Sequence, residues 1–235
     1  MNPVTLSQLT AMIDRLHAIA DYAGQHPNMI PGPQVLYFFW ERGEQRADLS
    51  RRIVRMGLSR KAGLSRPTQH RQAVSQGSIF ASYIYTALAL RDDLQGAIRR
   101  QLKRPGLDVN KYLNLNFSAI PGDPKHAGLE QLMRAFERGP VYSYTLTQLD
   151  FAWIAVPDTD FLDEAERKGT ALLSNYHRQG RTAIDPPSAN WLGHFSHQAK
   201  VRQSGLWSCH YVTDQVDPDT SWLDRLEQLA GYRQP

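Results

Sequence analysis

Glu166 is the carboxylate whose place in the chain most plainly asks for a partner. It belongs to an acidic set, Asp158, Asp160, Asp163, Glu164 and Glu166, and follows Leu162 by four residues. On a helix that spacing puts both side chains on or near one face, the one turned to the core. A charged carboxylate left alone there is expensive. Two resolutions stay open: a salt bridge to an arginine, or a divalent ion such as Mg2+. One carboxylate with several retained waters suits Mg2+ when phosphate supplies the other ligands. Between Arg42 and Arg71 stand nine Lys/Arg against two Asp/Glu. Such a run beside a sheet edge is either a phosphate-facing surface or a solvated face. Arg52, Arg60, Lys61 and Arg71 are its candidate nucleic-acid contacts.

Other chemistries find less support. His194 and His197 stand three apart, but no cysteine or clustered acid accompanies them, so structural zinc is not expected. HExxH, P-loop and GxGxxG patterns are absent, and Gly205, followed by Leu-Trp-Ser, makes no nucleophile elbow. Cys209 is the only cysteine. It forms no intramolecular disulfide and nucleates no thiolate cluster, which fits a reducing, cytoplasmic compartment. No apolar run approaches the length of a membrane span, and the start lacks the pattern of a secretory signal. With 235 residues, 41% apolar and 21% charged, the chain suits one large folded domain or two small ones. Its net charge of +4 permits nucleic acid as a partner without requiring it.

The elements that must position these residues read as follows. Leu6, Leu9, Ile13, Leu16, Ile19 and Ala20 line one face of a helix over residues 4–23, with Thr5 or Ser7 as cap. Val35–Trp40 is an aromatic and β-branched strand, and Arg52–Gly57 a second. The polar stretch Glu41–Asp48 between them reads as the connection of a hairpin. A largely buried helix follows over residues 79–91, capped by Ser78, with a strand as the lesser alternative on its aromatic content, and an amphipathic pattern continues through Leu94, Ile98 and Leu102. The signal from 107 to 140 is poor, with a short helix around Leu129–Phe136. Residues 148–156 give a third strand. The helix bearing Glu166 then runs to about residue 177, with Asp163 and Glu164 suiting its positive terminus. Residues 181–213 have few regular runs, and a last helix passes through Trp222, Leu226 and Leu229.

In this order the chain resembles the GIY-YIG nuclease superfamily, and more closely a divergent bacterial branch of it. The resemblance rests on Tyr37, Val54-Arg55-Met56-Gly57, Arg66-Pro67-Thr68-Gln69-His70 and Gly77-Ser78-Ile79-Phe80. Late in the chain it rests on Leu172-Leu173-Ser174, Trp191-Leu192-Gly193 and Ser204-Gly205-Leu206-Trp207. It covers about 34–91 and 148–213. Three positions depart from it. Val35 stands where the first motif has glycine, Arg55 where the second has tyrosine, and Pro67 directly follows Arg66.

The resemblance implies an α+β fold, a small three-stranded mixed sheet flanked by helices. It divides the chain into an N-terminal helix (1–33), a GIY-YIG-like domain (34–213) with an insertion at about 92–147, and a C-terminal helix (214–235). Glu166 would hold the metal, Arg66 would steady the phosphate, and Tyr37 would orient or deprotonate the attacking water. Arg55 would bind phosphate in place of the missing tyrosine or pair with Glu166. His70 is a further site residue or an ordinary helix-face residue, and Tyr37 could equally be a core aromatic with its hydroxyl at the rim. Asn190 is preferred over Asn175 as the late asparagine. The implied activity is DNA phosphodiester hydrolysis with Mg2+ or Mn2+. A nucleic-acid-binding module of the same fold without cleavage is the alternative, and a structural or protein-binding role a third reading. DNA is the expected partner, a membrane is not, and homodimer against monomer stays undecided.

Overall fold

A computed structural model describes residues 4–26, 34–60, 70, 78–92, 137–178 and 183–233. Helix α1 (Leu6–Gln25) opens with a capping box in which Thr5 and Gln8 satisfy each other's backbone N–H. Strands β1 (Val35–Gln45), β2 (Arg51–Ser59) and β3 (Leu149–Ala155) form one sheet in the order β2-β1-β3. Both pairings are antiparallel, so the sheet is not mixed as the sequence reading had it. A hairpin forces β2 to run against β1, whereas the long connection before β3 allowed either direction.

The central strand is apolar on both faces because both are covered. Leu36, Phe38 and Trp40 meet α1, helix α4 (Thr159–Leu173) and helix α6 (Ser221–Ala230). Val35, Tyr37 and Phe39 meet helix α2 (Ile79–Arg91) and the tryptophans Trp191 and Trp207. Short helices α3 (Tyr142–Thr147) and α5 (Ala199–Ser204) lie on that second side of the chain's path. The terminal helices are tied to each other and to α4. Arg15 on α1 reaches Asp224 and Glu227 at 2.5 Å, and Arg225 on α6 reaches Asp158 at 2.8 Å.

Two element boundaries differ from the sequence reading. β1 continues to Gln45, through the stretch read as a turn, because Glu41 and Glu44 find internal hydrogen-bond donors (below). Helix α4 stops at Leu173 rather than near 177. Ser174 turns to extended backbone there and donates its hydroxyl to the Val212 carbonyl at 2.7 Å, leaving a 3-10 turn at Tyr176–Arg178. Asp158 caps α4 and Ser78 caps α2 through their side-chain oxygens. The patterns at Leu94–Leu102 and Leu129–Phe136, and residues 93–136 of the insertion, lie outside the described residues. Among the described residues no helix is long and apolar enough to cross a membrane.

Candidate active site

Register brings the first group together. Tyr37 on β1 faces Gly57 on β2, and its ring lies across that glycine's backbone. A Cβ at Gly57 would stand 2.5 Å from the Tyr37 hydroxyl oxygen and 2.6 Å from its Cζ, so only glycine admits the ring here. The Tyr37 hydroxyl is 2.9 Å from His70 Nε2, and His70 Nδ1 is 2.6 Å from Ser78 Oγ. Ser78 Oγ also accepts the Ala81 N–H at 3.0 Å. The helix cap is thus the far end of a Tyr37–His70–Ser78 chain. Phe39 and Phe80 surround the imidazole edge-on, and neither Tyr37, at 1% exposure, nor His70, at 0%, meets solvent. Gly57→Ala is expected to push Tyr37 off His70 and to cost about 1–3 kcal/mol of stability by overpacking. Urea unfolding measures the loss, and an unshifted midpoint would show that the ring has room to move.

A bulge brings the second group. Phe39 pairs with Arg55 but Trp40 pairs with Ile53, so Val54 is the extra residue. Consecutive residues at a bulge share a face, and Val54 and Arg55 both point to the side of Tyr37 and Phe80. The Arg55 guanidinium sits 4.9 Å from the Phe80 ring centroid. It donates through Nη1 to the Trp207 carbonyl, while its buried Nε has no hydrogen-bond partner among the described residues.

Glu166 approaches the same stretch of β2 from α4. Its carboxylate accepts a hydrogen bond from the backbone of Leu58, the residue after Gly57. Burial pushes its pKa above the ordinary glutamate range, Arg55 pulls it back, Asp163 raises it and Arg60 lowers it. The half-buried carboxylate therefore lies in the field of two arginines at the open edge of the sheet. Asp163, one turn back, is held by Arg60 at 2.6 Å, an exposed pair worth little to stability.

The sequence-predicted residues therefore separate. Tyr37 and His70 meet over Gly57 on one face of the sheet, while Glu166 reaches the Leu58 backbone from α4 on the other, within the field of Arg55, and Arg60 is at the rim. Arg66, Lys61 and Arg71 lie outside the described residues. Arg52 is corrected: it is fully buried, donating to Glu44 at 3.2 Å and twice to the Gly205 carbonyl at 2.9 Å, and cannot meet a phosphate there. Asn190 is exposed, between Ser188, which bonds Glu44, and Trp191, which bonds Glu41. That is the far end of β1 from Tyr37. Asn175 is buried and donates to the Asp185 carbonyl at 3.0 Å.

Sequence reasoning missed Glu41, which is buried and accepts from the Trp207 indole at 2.7 Å, the Trp191 indole at 3.1 Å and the Tyr144 hydroxyl. The signal available was two tryptophan motifs late in the chain with no assigned task. Among the described residues no three or more His, Cys, Asp or Glu side chains gather as a metal cage. A single carboxylate with waters and phosphate oxygens is nevertheless a normal Mg2+ environment, and Glu166, open at a sheet edge, fits that donor set.

A first-strand tyrosine lies over a second-strand glycine and bonds a histidine, and a helix-borne glutamate takes the next backbone amide of that strand, in a small α+β fold. The family model of the GIY-YIG domain matches residues 4–234, and the chain belongs to that family, whose fold is a nuclease fold. No curated protein and no solved structure gives a significant match.

Proposed function

We propose that the chain is a metal-dependent endonuclease that hydrolyses DNA phosphodiester bonds at the Tyr37–His70–Glu166 focus. The observation that carries this reading is the Tyr37 hydroxyl bonded to His70 Nε2 at 2.9 Å, over the glycine whose neighbour binds Glu166. With Nδ1 protonated toward Ser78, Nε2 is an acceptor and draws the Tyr37 proton toward itself. The ring is buried in the free protein, so bound DNA must first admit a water beside it; the Tyr37 oxygen then takes the proton of that water as it attacks phosphorus. Arg55, whose Nε has no partner among the described residues, places positive charge on the non-bridging oxygens, where the transition state gathers negative charge. Arg66 is proposed for the same task. Glu166 would hold Mg2+ or Mn2+, which when bound supplies Lewis-acid stabilisation of the phosphate and the leaving oxygen. Arg60, exposed at the rim, with Lys61 and Arg71, would add contacts to the DNA backbone. The free Cys209 suits a reducing, cytoplasmic setting.

Tyr37→Phe tests the reading. It keeps the ring over Gly57 and removes only the oxygen, so cleavage of plasmid DNA with Mg2+ is expected to fall about 10²- to 10⁴-fold with the fold intact. Unchanged cleavage would refute the role. Two observations favour a second reading, DNA binding without hydrolysis. The Tyr37 hydroxyl is buried, and Arg55 replaces the second motif's tyrosine. That reading expects salt-dependent DNA affinity without a divalent ion and no cleavage by any variant.

A further inference from the structure

Glu41 is a buried strand carboxylate at 6% exposure, and its three hydrogen-bond donors are neutral. They come from three separate segments: Tyr144 on α3, Trp191 before a 3-10 turn, and Trp207 after α5. An apolar residue would fill this position with no desolvation cost, so the carboxylate asks for a reason.

Trp207 supplies one. Its indole is fixed by Glu41, while its backbone is stitched to the bulge of β2. Its N–H donates to the Val54 carbonyl at 2.8 Å, and its carbonyl accepts from Arg55 Nη1. Its ring also stands 6.3 Å from the Phe80 ring, the same ring that lies under the Arg55 guanidinium. Two contacts of Arg55 among the described residues, the carbonyl and the aromatic face, therefore involve Trp207 or a ring packed on it. We propose that Glu41 is a positioning residue for Arg55, holding its guanidinium in the site through Trp207. The proposal rests on the nuclease reading for its catalytic consequence, and on geometry alone for its structural one.

The experiment compares Glu41→Ala, Glu41→Gln and Trp207→Phe, each alone and combined with Arg55→Ala. Glutamine keeps an acceptor for both indoles, and phenylalanine deletes only the indole donor while keeping most of the ring volume. The first readout is the mobility of the Arg55 Nε–Hε group by ¹⁵N NMR, its signal assigned by its loss in Arg55→Lys. The second is kcat/KM for DNA cleavage with Mg2+.

The expected result is a mobile Arg55 in Glu41→Ala and Trp207→Phe and a parent-like one in Glu41→Gln. With it goes a fall in kcat/KM of about tenfold or more that shrinks to less than about twofold when Arg55 is already alanine. A purely structural Glu41 would give the same loss with or without Arg55, and that outcome overturns the proposal. So does an Arg55 signal unchanged in Trp207→Phe, the variant that serves if Glu41→Ala does not fold. If the parent cleaves no DNA, the nuclease reading fails, and the NMR comparison still decides whether Glu41 positions Arg55.

Discussion

Glu166→Ala is expected to lower Mg2+-supported DNA cleavage by about 10³-fold or more, the equivalent of about 4 kcal/mol of transition-state stabilisation. DNA affinity measured in EDTA should change little, because the carboxylate contributes no positive charge to backbone binding. Glu166 is half-buried beside the edge strand β2, so its removal creates no large cavity and thermal stability should hold. Its titration adds a second mark. Burial raises the Glu166 pKa, and the ionised form is the one able to hold a metal ion. As pH falls, that form is lost earlier than for an ordinary glutamate. The acid limb of the kcat/KM profile should therefore begin above the usual carboxylate range and move down as Mg2+ is raised. Single-turnover cleavage at several pH values measures both effects. A Glu166→Ala protein that cleaves like the parent would remove the residue from the site.

Arg52→Ala is expected to destabilise the fold by about 3–5 kcal/mol, the usual consequence of removing one partner of a buried ion pair. Glu44 would keep Ser188 as a donor at 3.0 Å from its N–H but lose its positive partner, and the Gly205 carbonyl would lose both guanidinium donors. Urea unfolding followed by circular dichroism gives the loss. At temperatures where the variant is still folded, the salt dependence of DNA binding should match the parent's, since a side chain with no exposure releases no counterions. A loss below about 1 kcal/mol with a shallower salt slope would instead mean that Arg52 reaches phosphate.

The contrast between Arg52 and Arg60 shows what the sequence could and could not say. Both belong to one basic run, and charge alone made them equivalent. Arg60 is at the rim, whereas Arg52 is buried because its partners are Glu44, eight residues away, and Gly205, 153 away. No local pattern announces a partner at that distance. The same cause hid the second half of β1. Glu41 and Glu44 look like turn residues, and they sit in a strand only because tryptophans and a serine from beyond residue 180 donate to them.

Local signals did better. The Ser78 cap was legible, and Thr5 was one of two candidates for the first helix, because a cap is read from adjacent residues. The apolar run of β1 was legible because both of its faces are covered. Glu166 was legible as a helix residue near the core side from its four-residue spacing to Leu162. The Tyr37–His70 bond was not legible: the resemblance named both residues, and only the fold joins them across 33 positions.

The most direct test of the nuclease reading is the conversion of supercoiled plasmid by the purified chain across a Mg2+ titration, with an EDTA control and Glu166→Ala prepared in parallel. The account predicts nicked or linear products that rise with Mg2+, vanish in EDTA and are lost in the variant. Equal conversion by both proteins, or none by the parent on plasmid, linear duplex and single-stranded DNA alike, would contradict it.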